Sequence, residues 1–471
     1  FLQSLAGIPL LLAADIEEGV GQRFSGATWF PPPMALGGVA QQDLSLSLEL
    51  AEQMGRTTAQ EAVAMGLNWV LAPTVDVNNN PNNPVINVRA FGDEPDVVGK
   101  LACAFIRGAQ DFPVLTTAKH FPGHGDTATD SHLALPVIPH GLERLDAIEL
   151  APFRQAIAAG VNSVMTAHLR LPALDAEHPA TLSKPTLSGL LRRELGFAGL
   201  IATDALMMGA ITDQYGPYEA AVLAVEAGAD VVLMPPDPVG AISALTEAVR
   251  TGRLSLDHIR TAAERILQAI RRILGASTST PSHAWEQHEA SLQPDQIAQP
   301  QAHQTVSDIL TASLQQSGPP LAKGDSGRNL LLVDDVIGCR FLPRTAPALT
   351  LPAQKGYQLQ LVDSRWSVEQ ALLGQPNAPT LLQLFIRGNP FRSSASLIEL
   401  AQGYINTLGD ALKAVVVYGS PYVLPALTVP PHCPTVFCYG QMTAAQTIAL
   451  DALFQGALKL DRSAVDASFT D

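Results

Sequence analysis

Cysteine is scarce in this chain: four among 471 residues, at Cys103, Cys339, Cys433 and Cys438. They lie far apart or inside strand-like runs and match no metal-ligand spacing, which excludes a disulfide framework or a zinc cluster as the organising principle. Buried free thiols suit a reducing compartment, and a cytoplasmic location is expected. Positive charge is scarce as well. Lysine and arginine total 29 against 44 acids, a net charge of −15, which argues against nucleic acid or an anionic membrane as a partner. No apolar run is long enough to span a bilayer. The sequence opens at Phe1 without an initiator methionine or a signal-peptide pattern, and a first structural unit is expected upstream. There is no internal repeat, and the C-terminal third lacks a Gly-rich phosphate fingerprint, so no cofactor is expected.

What the chain does have is apolar content of 47% with only 15% charged residues, the composition of a well-packed globule. Its length exceeds one ordinary core, so two domains are expected. The most concentrated chemistry is KHFPGHGDTATDSH, residues 119–132. Three histidines, two aspartates and a lysine follow a strand-like run at 113–118. Titratable groups at that density on a Gly-containing loop mark an active site more readily than a fold requirement.

Short apolar runs at 8–14, 67–72, 113–118, 161–166, 199–203 and 229–234 read as buried parallel strands. Helical patterns near 40–64, 94–110, 144–158, 184–195, 216–227 and 238–274 separate them. This alternation predicts an α/β architecture. Polar residues sit repeatedly at the strand ends: Asp15, Asp76, Lys119 with His120, His168 and Asp204. A (β/α)8-type TIM barrel gathers its site at the carboxyl ends of its strands, so the repetition reads as one site on such a barrel. Six strands are clear where that barrel has eight. One unit is expected before Phe1 and an irregular one near 85–91, which would leave the barrel incomplete at its N-terminus.

Residues 276–305 turn rich in Ser, Thr, Gln, Pro and Ala. The expected division is a barrel over 1–275, a linker over 276–321 and a smaller α/β sandwich domain over 322–471. Strands in the last are read at 329–333, 358–362, 380–385, 414–418 and 435–438.

Each candidate has a bland reading beside the chemical one. In extended chain, residues two apart point the same way, so Asp130 can orient His132 as a proton shuttle, or the pair can simply hydrogen-bond in a solvated loop. Asp204, ending a strand in GLIATDALMM, reads equally as a nucleophile or as a helix N-cap. Arg23, Arg89, Lys119 and His120 can hold sugar hydroxyls or an anion, while either arginine could serve a structural ion pair. The histidine and aspartate spacing fits no standard metal site, and no metal is expected.

KHFPGHGDTATDSH resembles the signature loop of glycoside hydrolase family 3, in its bacterial β-N-acetylglucosaminidase branch. AADIEEGVGQRF, APTVDVN, NVRAFG, MTAHLRLPALD and IATDALMMGAI follow in the family's order over residues 8–275. VVVYGSPYVL resembles, more loosely, the sandwich domain found after many such barrels. The resemblance implies that Asp204 is the nucleophile and that His132, held by Asp130, is the acid/base. It implies that Asp15, Arg23, Arg89, Lys119 and His120 hold the terminal sugar, with His168 and Met208 lining the pocket. Where the family reads D-Q-E-G-G-R-V-Q-R-F, residues 15–24 read DIEEGVGQRF, keeping the spacing of Asp15 and Arg23 but not the second glycine or the intervening arginine.

The expected activity is a retaining exo-β-N-acetylglucosaminidase acting on GlcNAc-terminated oligosaccharides, with a carbohydrate as its partner. The alternatives are a GlcNAc phosphorylase, a β-glucosidase and a catalytically silent sugar-binding protein. Gly123 and Gly125 are expected to let the loop move.

Overall fold

The computed structural model describes residues 2, 6, 9–128, 135–274, 293–321, 326–375, 377–388 and 395–456. The chain forms two compact units, one of Phe1–Pro33 with Asp43–Ala302, the other of Met34–Gln42 with His303–Asp471. Among the described residues no helix is long and apolar enough to cross a membrane.

The first unit is built on a parallel sheet in chain order: β1 (Ala13–Ala14), β2 (Trp69–Val70), β3 (Leu115–Phe121), β4 (Ser163–Thr166) and β5 (Leu200–Ala202). Consecutive pairing of parallel strands requires a crossover after each. Helices Leu44–Ala64, Pro95–Ala109, Ala151–Ala158 and the π-type helix Pro185–Glu194 are among the elements that supply them. The expected strand at 229–234 appears only as a bridge between Val231 and Ala202. Five strands and that bridge are what the described residues show, and they do not show a closed barrel.

All seven residues of β3 are buried, as a central strand covered on both faces must be. Trp69 fixes the middle of the sheet. Its indole N–H donates to Thr117 Oγ1 at 2.8 Å and lies 3.0 Å from Ser163 Oγ, tying β2, β3 and β4 together. Around it pack Leu71, Leu115, Met165, Leu200 and Ala202. Ile266, Ala269 and Ile273 of helix Leu256–Leu274 join them, recurring at the three- and four-residue steps of one helix face.

The second unit has a sheet ordered β6 (Gln315–Ser317), β11 (Thr435–Cys438), β10 (Leu412–Gly419), β9 (Thr380–Ile386), β7 (Arg328–Val333) and β8 (Gln358–Val362). It is parallel except at the edge, where β6 runs antiparallel to β11. Part of the expected linker is therefore structured, as helix Pro300–Ala312 followed by β6. Buried Ala302, Val306, Ile309 and Leu310 give that helix a core-facing stripe which the Gln-rich composition hid. Residues Met34–Gln42, far away in sequence, also belong to this unit. Gly38 lies so close to Tyr439 there that a Cβ would sit 2.8 Å from the phenol oxygen.

Candidate active site

The site begins where β1 ends. Asp15, Glu17 and the turn Val20–Gln22 lie on a loop that folds back on itself, with Gly21 N–H donating to Thr28 O and Phe30 N–H to Glu18 O. Gly21 is needed for close approach, because a Cβ would stand 2.4 Å from the Ala27 carbonyl. Arg23 is exposed, and its Nε donates to the backbone oxygen of Asp15 at 2.9 Å. Despite the altered loop sequence, Arg23 still reaches Asp15.

A continuous chain of charged contacts runs inward from Asp15. Lys119 Nζ, buried at 1% exposure, lies 2.7 Å from Asp15 Oδ1 and 2.6 Å from Glu17 Oε1. Arg89 grips Glu17 with both prongs, Nε at 2.9 Å and Nη2 at 2.8 Å. Such planar, bidentate pairing is specific to arginine. The Asp15 side chain is 49% exposed and so forms the open end of the chain of pairs. Burial alone would push the Glu17 carboxyl up, but the charges of Arg89 and Lys119 outweigh it and hold it well below the usual range. Burial also works against the Lys119 ammonium, and Asp15 with Glu17 overcomes it to raise the amine.

Arg89 Nη2 lies 3.3 Å from His120 Nε2, and His120 Nδ1 lies 2.7 Å from Asp76 Oδ2. A guanidinium can only donate, so in a neutral ring Nε2 would accept from Arg89 and Nδ1–H would be directed at Asp76. Asp76 is fully buried and also accepts the backbone N–H of His124 at 2.7 Å. Burial raises its carboxyl; attraction to His120 and the hydrogen bonds it receives more than compensate, leaving it below the ordinary value. Burial lowers the His124 imidazole to about 4.

The loop after β3 is clamped at its start. The Asn83 amide donates to the carbonyls of His124 and Gly125, both at 2.8 Å, while its oxygen accepts from Val85 and Ile86 N–H. Asp126 Oδ2 lies 2.8 Å from His140 Nε2. Glycine at 125 allows close approach, because a Cβ there would stand 1.7 Å from the Val77 carbonyl oxygen. Gly123, at φ 123°, does occupy a conformation that favours glycine. Asp130 and His132 lie outside the described residues.

Asp204 follows β5, partly buried, and its Oδ1 accepts the N–H of Ala205 at 2.7 Å. It does not cap a helix. The next helix, Gly209–Tyr215, starts five residues on with Met208 at its N-cap, which removes the bland reading. Burial raises the Asp204 carboxyl, and attraction to His168, then His120, the Ala205 N–H and Lys119 bring it below the ordinary value. Lys119 and His120 thus lie near enough to Asp204 to act on its charge.

His168 stands differently from its expected pocket-lining role. It is fully buried, with Nδ1 2.8 Å from Thr181 Oγ1 and Nε2 3.0 Å from the Ala205 carbonyl. Protein groups engage both nitrogens, while the ring also attracts the Asp204 carboxyl. Met208 is buried at 8% exposure, whereas Met207 beside it is 54% exposed.

Three contributors escaped the sequence reading, Glu17, Asn83 and Thr181, and a fourth, Asp76, was given no role there. Glu17 was within reach, since it stands two residues from Asp15 and would point the same way in extended chain. Asp76 was visible at a strand end. Asn83 and Thr181 act through loop contacts that carry no local signature.

Known families and proteins resemble the chain over most of its length. The glycosyl hydrolase family 3 N terminal domain matches residues 1–269, and the bacterial glycosyl hydrolase family 3 C-terminal domain matches residues 321–455. Beta-hexosaminidase A of Pseudoalteromonas piscicida is 40% identical over 247 residues, 50% of this chain and 41% of that protein. The chain thus spans less than half the length of that relative. The beta-hexosaminidase of Nitrosomonas eutropha is 37% identical over 266 residues, 55% of this chain and 75% of that one. Among solved structures, a glycoside hydrolase family 3 beta-N-acetylglucosaminidase from Paenibacillus sp. str. FPU-7 aligns over 97% of this chain and 87% of its own, at 33% identity and a TM-score of 0.79. With a family match over more than half its length, the chain belongs to glycosyl hydrolase family 3.

Proposed function

We propose that the chain is a retaining exo-β-N-acetylglucosaminidase that removes non-reducing terminal GlcNAc from cell-wall muropeptides or chito-oligosaccharides. The observation that carries this reading is Asp204: a partly buried carboxyl at a strand end, held below its ordinary value by His168, His120 and Lys119. A carboxylate kept ionised in that setting suits a nucleophile. The relatives named beta-hexosaminidase, and the solved beta-N-acetylglucosaminidase, support the choice of sugar.

In the proposed reaction an Asp204 oxygen attacks the anomeric carbon as the glycosidic C–O bond breaks. His132, oriented by Asp130, gives its proton to the departing oxygen. Water then attacks the glycosyl ester, His132 takes its proton, and the Asp204 carboxylate is restored. Asp15 offers its exposed carboxylate to the sugar hydroxyls. Arg89, Lys119 and His120 stand behind it, and Arg23 fixes its backbone. In this reading the parallel sheet is part of a (β/α)8 barrel over residues 1–275, followed by a linker over 276–321 and a structural domain over 322–471. The four free thiols suit a cytoplasmic setting.

The test is release of nitrophenol from its β-N-acetylglucosaminide by the native chain and by Asp204→Ala, with and without phosphate. Turnover lost in the variant supports the reading, and the phosphate series separates transfer to water from transfer to phosphate. Substantial activity in Asp204→Ala, or preference for the glucoside, overturns it.

A further inference from the structure

We infer that His168 is a positioning residue for Asp204, held as an imidazolium between the Thr181 hydroxyl and the Ala205 carbonyl; this rests on Asp204 being the nucleophile. The argument is an inventory of protons. Thr181 Oγ1 lies 2.9 Å from the Ala167 carbonyl, 2.8 Å from Thr166 Oγ1 and 2.8 Å from His168 Nδ1. A hydroxyl has one proton to give and two lone pairs to fill. The carbonyl of Ala167 can only accept, so it takes the Thr181 proton. The lone pairs then receive the Thr166 hydroxyl proton and a proton from His168 Nδ1.

On the other side of the ring, Nε2 faces the Ala205 carbonyl at 3.0 Å, a second group that can only accept. Both nitrogens therefore carry hydrogen. The neutral ring is the alternative, and it would cost the Ala167 carbonyl its Thr181 donor. That loss decides for the imidazolium only together with an anion that repays the burial of its charge.

A buried cation needs an anion, and Asp204 supplies it. Other titratable groups facing Asp204, among the described residues, are His120 and Lys119 on β3 and His124 on the loop beyond. Asp15 and Glu17 are taken up by Lys119 and Arg89, and Asp76 by His120. His168 then acts on the nucleophile in two ways. Its Nε2–H grips the Ala205 carbonyl while the Ala205 N–H holds Asp204 Oδ1, so the residue after the nucleophile is fixed on both sides. Its charge also favours the free carboxylate, the form that leaves when the glycosyl ester is hydrolysed.

His168→Gln is expected to lower kcat by roughly 100-fold, the scale of losing one preorganised electrostatic contact. The fall in kcat/KM should be smaller, because loss of the cation slows departure of the carboxylate more than its attack. The acidic limb of kcat/KM should move up by about one pH unit, since a nearby cation is what kept the carboxyl ionised. Thr181→Val should reproduce part of the loss, and Thr181→Ser, which retains the hydroxyl, should recover most of it. Imidazole nitrogen NMR, with the His168 signal assigned by its absence in His168→Gln, should show two protonated nitrogens at pH 7 in the native protein and a neutral ring in Asp204→Asn. A neutral His168 in the native protein overturns the inference, as does an unmoved acidic limb with kcat within twofold of native. The NMR result does not depend on turnover. If Asp204→Ala retains activity, the functional reading has failed while the charge state of His168 is still judged separately.

Discussion

The two sheets differ in how far charged side chains gather at their strand ends. In the second unit Asn329, Gln383 and Tyr418 lie on three neighbouring strands and satisfy one another. The Gln383 amide donates to Asn329 Oδ1 at 2.7 Å and to the Ala348 carbonyl at 2.8 Å, while its oxygen accepts the Tyr418 hydroxyl at 3.0 Å. Gln446 closes the same region by donating to the carbonyls of Phe341 and Gln441. Every member of that network is neutral and fully surrounded. In the first unit a neutral network of Trp69, Thr117 and Ser163 also lies inside the sheet, and a chain of acidic and basic side chains at the carboxyl ends of the strands runs out to a half-exposed Asp15. Neutral polar groups inside a sheet specify packing, whereas charges held at strand ends remain available to a substrate.

The contrast is broken most severely at Asp204. Asp204→Ala should reduce kcat/KM on the order of 10⁴-fold, as loss of a nucleophile does. Next comes Glu17→Gln. It removes the carboxylate shared by Arg89 and Lys119 and leaves both cations buried, which should cost about 3 kcal/mol of stability. With the sugar-facing groups no longer fixed, kcat/KM should also fall roughly 100-fold. Paired denaturation and kinetic measurements decide it. Glu17→Gln with native stability and native kcat/KM would mean that the buried pairs do not organise the site.

Legibility in the sequence followed the same division. The strand ends announced themselves because a titratable residue after an apolar run is costly to place without a purpose, and Asp15, Lys119, His120 and Asp204 were read as candidates on that ground. Periodicity separated strands from helices in both units. What stayed hidden was pairwise. Nothing local tells Lys119 that Asp15 and Glu17 will be its partners 104 and 102 positions away, or shows His168 turned toward Thr181 instead of a sugar. The helix Pro300–Ala312 was missed because a four-residue apolar stripe is easily masked by a Gln-rich flank.

A third effect concerns pH. The His124 ring is lowered from 6.5 to about 4 by burial, so the folded protein binds this proton less readily than the unfolded chain does. The stability it contributes is present above pH 6.5 and is lost as pH falls toward 4, at most about 3 kcal/mol over that window. Glu17, Asp76 and Asp204, with carboxyls held below their ordinary values, add losses at still lower pH. Denaturant titrations from pH 7 to 4 should show the slope in native protein and a flatter curve in His124→Asn. Equal slopes in the two proteins would place the acid sensitivity elsewhere.

The smallest expected effect tests the other half of the comparison. Tyr418→Phe removes one hydroxyl from the interior of the second sheet and leaves Gln383 Oε1 without the donor it has at 3.0 Å. The tyrosine ring is untouched, so no cavity forms and the cost should be about 1 kcal/mol, that of one neutral hydrogen bond. Burial already raises the phenol well above its ordinary value, so the hydroxyl carries no charge near neutral pH and its loss changes no field. Kinetic constants should therefore match the native enzyme within twofold, with only a slightly lower melting temperature. A tenfold drop in kcat/KM would show that this network does more than hold its own sheet together, and the division between neutral interior and charged strand ends would no longer separate architecture from chemistry.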